Sequence, residues 1–114
     1  MTPELRRVVA YIAARLASGA GAANVYSYDD ACYTPVTGTI SQTSVAVFDH
    51  IDAAHVTGSP SGLFHHKLGA HFSVQMSGLN FSGYDHSTGT HYQGSVNGST
   101  VQLFDGGWHH FQVT

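Results

Sequence analysis

The sequence predicts a mainly β fold: five β-hairpin repeats closing into a shallow pseudo-symmetric barrel or ring, preceded by one N-terminal amphipathic α-helix. Three observations carry this reading. First, a short unit recurs along the chain: an aromatic residue, an Asp, a few turn residues, then usually a His followed by another aromatic or Val. The steps are Tyr28-Asp29, Phe48-Asp49, Tyr84-Asp85 and Phe104-Asp105, with Phe64-His65 where a further one is expected, so the intervals are 20, 16, 20 and 20 residues. A period of this length is the mark of a repeat architecture. Second, from Val25 onward Gly, Ser, Thr, Val and aromatics prevail, with turn signals at the spacing of about 8–12 residues typical of short strands. Third, only the beginning of the chain has a helical period.

That beginning divides the chain into a helix at 1–17, a linker at 18–24 and a repeat domain at 25–114. Thr2 is placed to cap the helix, Pro3 suits its first position, and Glu4 complements the positive end of its dipole. Leu5, Val8, Val9, Ile12 and Leu16 fall at the spacing of one helical face. Gly19 and Gly21 are expected to end it, and the small residues of 18–24 to link it to the strands.

Each later unit divides into two strands around a turn. The first strand is represented by 45–49 and 101–105, and the second by 54–57, 70–76 and 90–96. Turns fall at 50–53, 66–69 and 86–89, and Ser77-Gly78 and Asn97-Gly98 form tight links between hairpins. Alternation places Val45, Val47 and Asp49 on one face, and likewise Val101, Leu103 and Asp105; Phe48 and Phe104 take the other. In the second strand Phe72, Val74 and Met76 oppose His71, Ser73 and Gln75. About ten short strands in an open sheet would leave exposed edges, and closure removes them. The apolar face of the helix can cap one mouth of the barrel, pack on another subunit or lie on a membrane.

Hairpin units of about twenty residues arranged as petals behind a short N-terminal segment resemble the β-flower group of small bacterial domains. The Tyr/Phe-Asp steps at 28–29, 48–49, 84–85 and 104–105 carry the resemblance, with His55, His71 and His91 after the turns. It covers residues 24–114 and departs from strict symmetry at the 16-residue interval and at His65. The group's similarity in shape to tubby-like lipid-binding barrels implies contact with membrane lipid.

Charge narrows the choice of partners. The chain has 114 residues, with Lys+Arg 4, Asp+Glu 7 and a formal net charge of -3. Residues 21–114 hold one base, Lys67, against six acids. Such a surface repels a phosphate backbone, which argues against nucleic acid. The single Cys32 excludes an internal disulfide and fits a reducing, cytoplasmic setting. Arg6-Arg7 before an apolar run resembles a signal peptide in outline, but Glu4 and Arg15 are misplaced for one.

Several residue sets have chemistry to offer. His55, His71, His91, His110, Asp49 and Asp85 supply imidazole and carboxylate, a donor set that suits zinc if the repeats converge. The competing expectation is that Asp and the post-turn His pair across each hairpin and fix its register. Trp108, in a Gly-rich turn, is the leading candidate for ligand contact, with Tyr28 and Tyr84 behind it; the other repeated aromatics are expected in the core. Leu5, Val8, Val9, Ile12 and Leu16 are the candidate oligomer interface. No catalytic residue is expected: there is no G-x-S-x-G, and small residues stand where Cys32 does in other units, so Cys32 reads as packing. The expected function is a non-enzymatic structural or interaction module that self-associates through its helix or a barrel face. The alternatives are a binding module for a small ligand or lipid headgroup at the barrel mouth, and a His/Asp metal site.

Overall fold

A computed structural model describes residues 1–18 and 22–114. Helix α1 spans Pro3–Ser18, and the strands are β1 (Asn24–Ser27), β2 (Cys32–Ile40), β3 (Val45–Asp49), β4 (Ala54–Ser59), β5 (Gly62–His65), β6 (Ala70–Phe72), β7 (Gln75–Ser77), β8 (Asn80–Asp85), β9 (Thr90–Asn97), β10 (Thr100–Phe104) and β11 (Trp108–Val113). Gly19 and Gly21, expected to end the helix, lie outside the described residues, as does part of the expected linker.

Every strand pairs antiparallel with its neighbour in sequence, β6 and β7 apart, and β1 pairs with β11. β6 and β7 are separated by only Ser73 and Val74 and both pair with β8, through Phe72↔Asp85 and Gln75↔Ser82. They act as two parts of one strand, and the sheet closes as a ten-stranded antiparallel barrel. Closure removes the free edges except along β7, which among the described residues pairs only with β8. The expected tight links are present: Gly78 and Gly98 take φ values of 63° and 62° between paired strands.

The helix neither caps a mouth nor presents a face to solvent. It runs through the lumen, where Val8, Val9, Ala10, Tyr11, Ile12 and Ala13 are each 0% exposed. The reason is local: from Val8 to Ala14 no polar residue interrupts the surface except the Tyr11 hydroxyl, so the helix is apolar all round, as a buried helix must be. Its 16 residues span about 24 Å, close to the 27–28 Å extents of the molecule. Ten strands enclose more space than inward side chains alone can fill, and a helix of about 10–12 Å diameter fills it. Val36, Val47, Val56, Leu63, Phe72, Val101, Leu103 and Phe111 complete the core from the walls. The Tyr11 hydroxyl donates to the Ala22 carbonyl (2.5 Å), which satisfies the one polar group on the buried turns. Thr2 caps the helix as expected, its Oγ1 accepting the Leu5 N–H at 3.2 Å.

Glycine matters where walls and core approach closely. A Cβ on Gly83 would lie 1.9 Å from the Ser73 carbonyl and 2.3 Å from the Tyr92 hydroxyl. That room lets Tyr92 lie flat inside the wall and donate to the Ser73 carbonyl at the break between β6 and β7. Burial, with the nearby Asp85 charge adding to it, pushes the Tyr92 hydroxyl far above the ordinary tyrosine range.

Candidate functional site

The recurring turns have a common grammar, and it differs from a plain aromatic-Asp step. At the end of β1, β3, β5 and β8 stands an inward acceptor that caps its own turn. Asp49 Oδ1 accepts the Ile51 and Asp52 N–H groups at 2.9 and 3.1 Å. Asp85 Oδ1 accepts the Ser87 N–H and Oγ–H at 2.9 and 2.6 Å. In the third turn His65 does the same work, its Nδ1 accepting the Leu68 N–H at 3.2 Å. In the first turn the acceptor is Ser27, which takes the Asp30 N–H at 3.3 Å. Four residues after each of these acceptors the backbone is left-handed: Ala31, Ala53, Gly69 and Gly89 have φ of 51°, 52°, 63° and 69°. The first unit therefore aligns on Tyr26-Ser27, two residues before the expected Tyr28-Asp29.

These acceptors point into the barrel mouth around the N-terminal end of α1. Arg7 Nε donates to Asp49 Oδ2 at 2.9 Å, and Arg7 Nη2 lies 2.8 Å from Asp52 Oδ2. The Met1 amino group lies 2.9 Å from Asp105. Burial alone would lower the Arg7 pKa, but the hydrogen bond to Asp49 and the charges of Asp49, Asp52 and Glu4 outweigh it and raise it above the ordinary value. Carboxylates gathered at the positive end of the helix dipole also favour this direction of threading. The repeated Asp residues thus fix the helix in place.

The post-turn His residues lie on the outside of the wall, so Asp and His do not pair across each hairpin. The cross-strand partners are Phe48↔His55, Phe64↔His71 and Tyr84↔His91. Each aromatic is flanked by two imidazoles: Phe48 by His50 and His55 at centroid distances of 4.8 and 4.6 Å, Phe64 by His66 and His71 at 4.9 and 4.6 Å, and Tyr84 by His86 and His91 at 4.6 and 4.7 Å. Tyr26 with Tyr28 and Tyr33, and Phe104 with Trp108, continue the belt. These aromatics form an external belt, so that Tyr26, Phe48, Phe64 and Phe104 lie outside the core expected for them. Turn His residues tie one hairpin to the next: His50 Nε2 and Thr37 Oγ1 are 2.9 Å apart, and His66 Nε2 and Thr57 Oγ1 are 2.8 Å apart. His109 pairs with Asp29 across the β11–β1 seam.

This geometry separates the candidate metal ligands. Asp49 and Asp85 are buried inside the wall, while His55, His71, His91 and His110 are exposed outside it on different strands. Among the described residues no group of three or more His, Cys, Asp or Glu is placed to hold a metal ion. The candidate oligomer interface is likewise spent: Leu5, Val8, Val9 and Ile12 are covered by the barrel walls, and only Leu16 is partly accessible. Cys32 is exposed at the rim and does not pack as expected.

Of the candidate ligand contacts, Trp108 is 58% exposed and lines a groove on the outer wall; Tyr28 and Tyr84 do not. The groove has a volume of about 530 Å³. The ladder registers explain its composition. One outward row runs Trp108, Phe104, Gln93, Ser82, Gln75 across β11 to β7, and the next runs His110, Gln102, Ser95, Asn80, Ser77. Ser82, Ser95 and Gly94 are small and form the floor, while Gln75 and Trp108 rise at its two sides. None of the side chains of Gln75, Asn80, Ser82, Gln93, Ser95 and Gln102 hydrogen-bonds to another described residue, in contrast to the mutually bonded Ser99, Gln112 and Thr100 nearby. These groove residues were not among the sequence candidates. The signal available for them was the stretch between Asp85 and Asp105, which has no Asp, Glu, Lys or Arg. A second cavity of about 710 Å³ opens near Leu16, lined by Pro60, Val74 and Met76 among others.

Compared with protein-family models, with curated proteins and with solved structures, the chain matches none of them.

Proposed function

We propose that the protein is a non-enzymatic binding module that holds a small ligand in the groove on the outer wall of β7–β11. One observation carries the reading: in this groove a row of amide and hydroxyl side chains without partners among the described residues meets an exposed tryptophan. A concave site of this volume with a few convergent polar groups is the usual form of a small-ligand site. The lumen is taken by α1 and Asp49 by Arg7 and the turn amides; Asp85 Oδ2 and His65 Nε2 have no hydrogen-bond partner among the described residues, but both residues are fully buried, closed off from any ligand outside. Self-association through the helix would require the barrel to open, and the outer wall is the surface left for any partner. The same reading takes the barrel as five hairpin repeats in the β-flower manner, supported by the shared acceptor position at Ser27, Asp49, His65 and Asp85.

Trp108 is the only tryptophan, so its emission reports on the groove directly. Titration with amino acids, nucleotides, short acyl chains and oligosaccharides is expected to give a saturable change with at least one class. A flat response to every class overturns the proposal.

A further inference from the structure

We infer that the ligand of this groove is a neutral saccharide, a short chain of uncharged sugar units. This rests on the groove being the binding site. No Lys or Arg follows Lys67, and the acids after it are Asp85, fully buried, and Asp105, which faces the Met1 amino group. The groove therefore has no counter-charge for a phosphate, sulfate or carboxylate ligand, and no exposed carboxylate for a cation.

What it does present is a set of groups that both donate and accept. Gln75, Asn80 and Gln93 each bring an amide with two N–H donors and a carbonyl acceptor, and Ser82 and Ser95 each bring a hydroxyl. A ligand that satisfies such a set needs closely spaced groups that also donate and accept, which is the pattern of vicinal sugar hydroxyls. An acyl chain would bury these amides unsatisfied, at a cost in affinity.

Trp108 supplies the other half of sugar recognition. A pyranose has an apolar face of C–H bonds, and a rigid, exposed indole offers a flat surface for it at little cost in conformational freedom. Phe104, whose ring lies 5.2 Å from that of Trp108, supports the indole from the neighbouring strand. From β7 to β11 the two rows cross four strand spacings, about 19 Å, which is room for a chain and not for a single ring. An extended peptide, the other ligand rich in amide partners, binds most readily along a sheet edge, parallel to the strands, whereas the two rows of this groove run across the strands from β7 to β11. No carboxylate lines the groove among the described residues, so the sugar is bound and not cleaved.

The test uses the full chain and four probes: maltotriose, cellotriose, mannotriose and N-acetylated chitotriose, with tri-galacturonate as the charged comparison. Trp108 emission and calorimetry are read in parallel. At least one neutral trisaccharide is expected to saturate, with tri-galacturonate at least tenfold weaker. Gln93→Ala should weaken binding roughly tenfold, the effect of losing paired amide hydrogen bonds. Trp108→Ala, read by calorimetry, should abolish it. Both positions are exposed, so the melting temperature should not move, and Lys67→Ala, in a turn outside the groove, should bind as the parent does. If another ligand class saturates Trp108 emission and no neutral saccharide does, the saccharide assignment is overturned and the groove remains a binding site. If nothing saturates, both are overturned.

Discussion

Arg7→Met asks whether the turn carboxylates hold the helix in the barrel. Arg7 is 7% exposed and Asp49 is 0% exposed; the pair meets at 2.9 Å, and a second guanidinium nitrogen lies 2.8 Å from Asp52. Methionine keeps much of the volume but leaves Asp49 Oδ2 as a buried charge without a donor. Removing one partner of a buried ion pair costs about 3–5 kcal/mol, a large share of the ~5–15 kcal/mol that holds a domain together. For a chain of this size that is a fall in melting temperature of roughly 12–20 °C, taking about 4 °C per kcal/mol. Circular dichroism melts and urea unfolding at neutral pH measure it. An asparagine in place of Asp49 would still offer its side-chain oxygen to the Ile51 and Asp52 amides but needs no counter-charge, so Asp49→Asn added to Arg7→Met should recover part of the loss. A single variant within about 0.5 kcal/mol of the parent, the range of ordinary surface changes, would refute the reasoning. So would strict additivity in the double variant, since groups in direct contact must couple. The neighbouring Lys67–Asp52 contact at 3.6 Å involves a half-exposed lysine and should contribute little.

Two further predictions concern the turns. His65 accepts the Leu68 N–H through Nδ1, and protonation there would break the cap. Burial lowers its pKa, with Arg7 acting in the same direction and the charges of Asp52, Asp49 and Glu4 opposing. Its folded pKa therefore lies below the unfolded value of about 6.5, the unfolded chain takes up the proton first, and stability falls as pH drops from about 7 towards 5. His65→Asn keeps an acceptor that does not titrate, so urea midpoints of this variant should fall less steeply over that range; parallel slopes would count against the cap. Ala53 holds φ of 52°, where a side chain costs about 1–2 kcal/mol and glycine nothing, against a glycine entropy cost of about 0.5–1 kcal/mol. Ala53→Gly should raise stability by up to about 1 kcal/mol in a urea melt, and a loss would show that the strain is not there.

How much of this was legible in the sequence depends on which kind of regularity carried each feature. The alternation along 45–49, 70–76 and 101–105 determined which side chains turn inward, and closure followed from strands that each pair with the next. The helix boundary and its Thr2 cap were equally local and equally readable. Its place in the lumen was not, because the Leu5-to-Leu16 stripe draws attention to one face while the burial is decided by the opposite one, where Ala10, Ala13 and Ala14 are small enough for walls to approach from all sides. The groove was invisible for a related reason. Gln75, Ser82, Gln93 and Trp108 are scattered over 34 residues, and only the ladder registers set them in one row.

The repeat itself shows most clearly what a residue pattern leaves out. Searching for an aromatic followed by Asp selects Tyr28-Asp29, yet the structural equivalent of Phe48-Asp49 is Tyr26-Ser27, and His65 is a full member of the series. What the first four turns share is an acceptor at the last inward position and a left-handed residue four places on; Asp, Ser and His all meet the first demand, and Ala or Gly the second. The outward aromatic at each such step is set by its cross-strand partner: His for Phe48, Phe64 and Tyr84, Tyr33 for Tyr26 and Trp108 for Phe104. Where that partner is His, the aromatic is closed between two imidazoles. Where it is Trp108, the turn is shortened to Gly106-Gly107, the second flanking ring is missing, and the indole is left open beside the unpartnered amides. The break in the repeat is thus what creates the exposed aromatic surface on which the saccharide proposal depends.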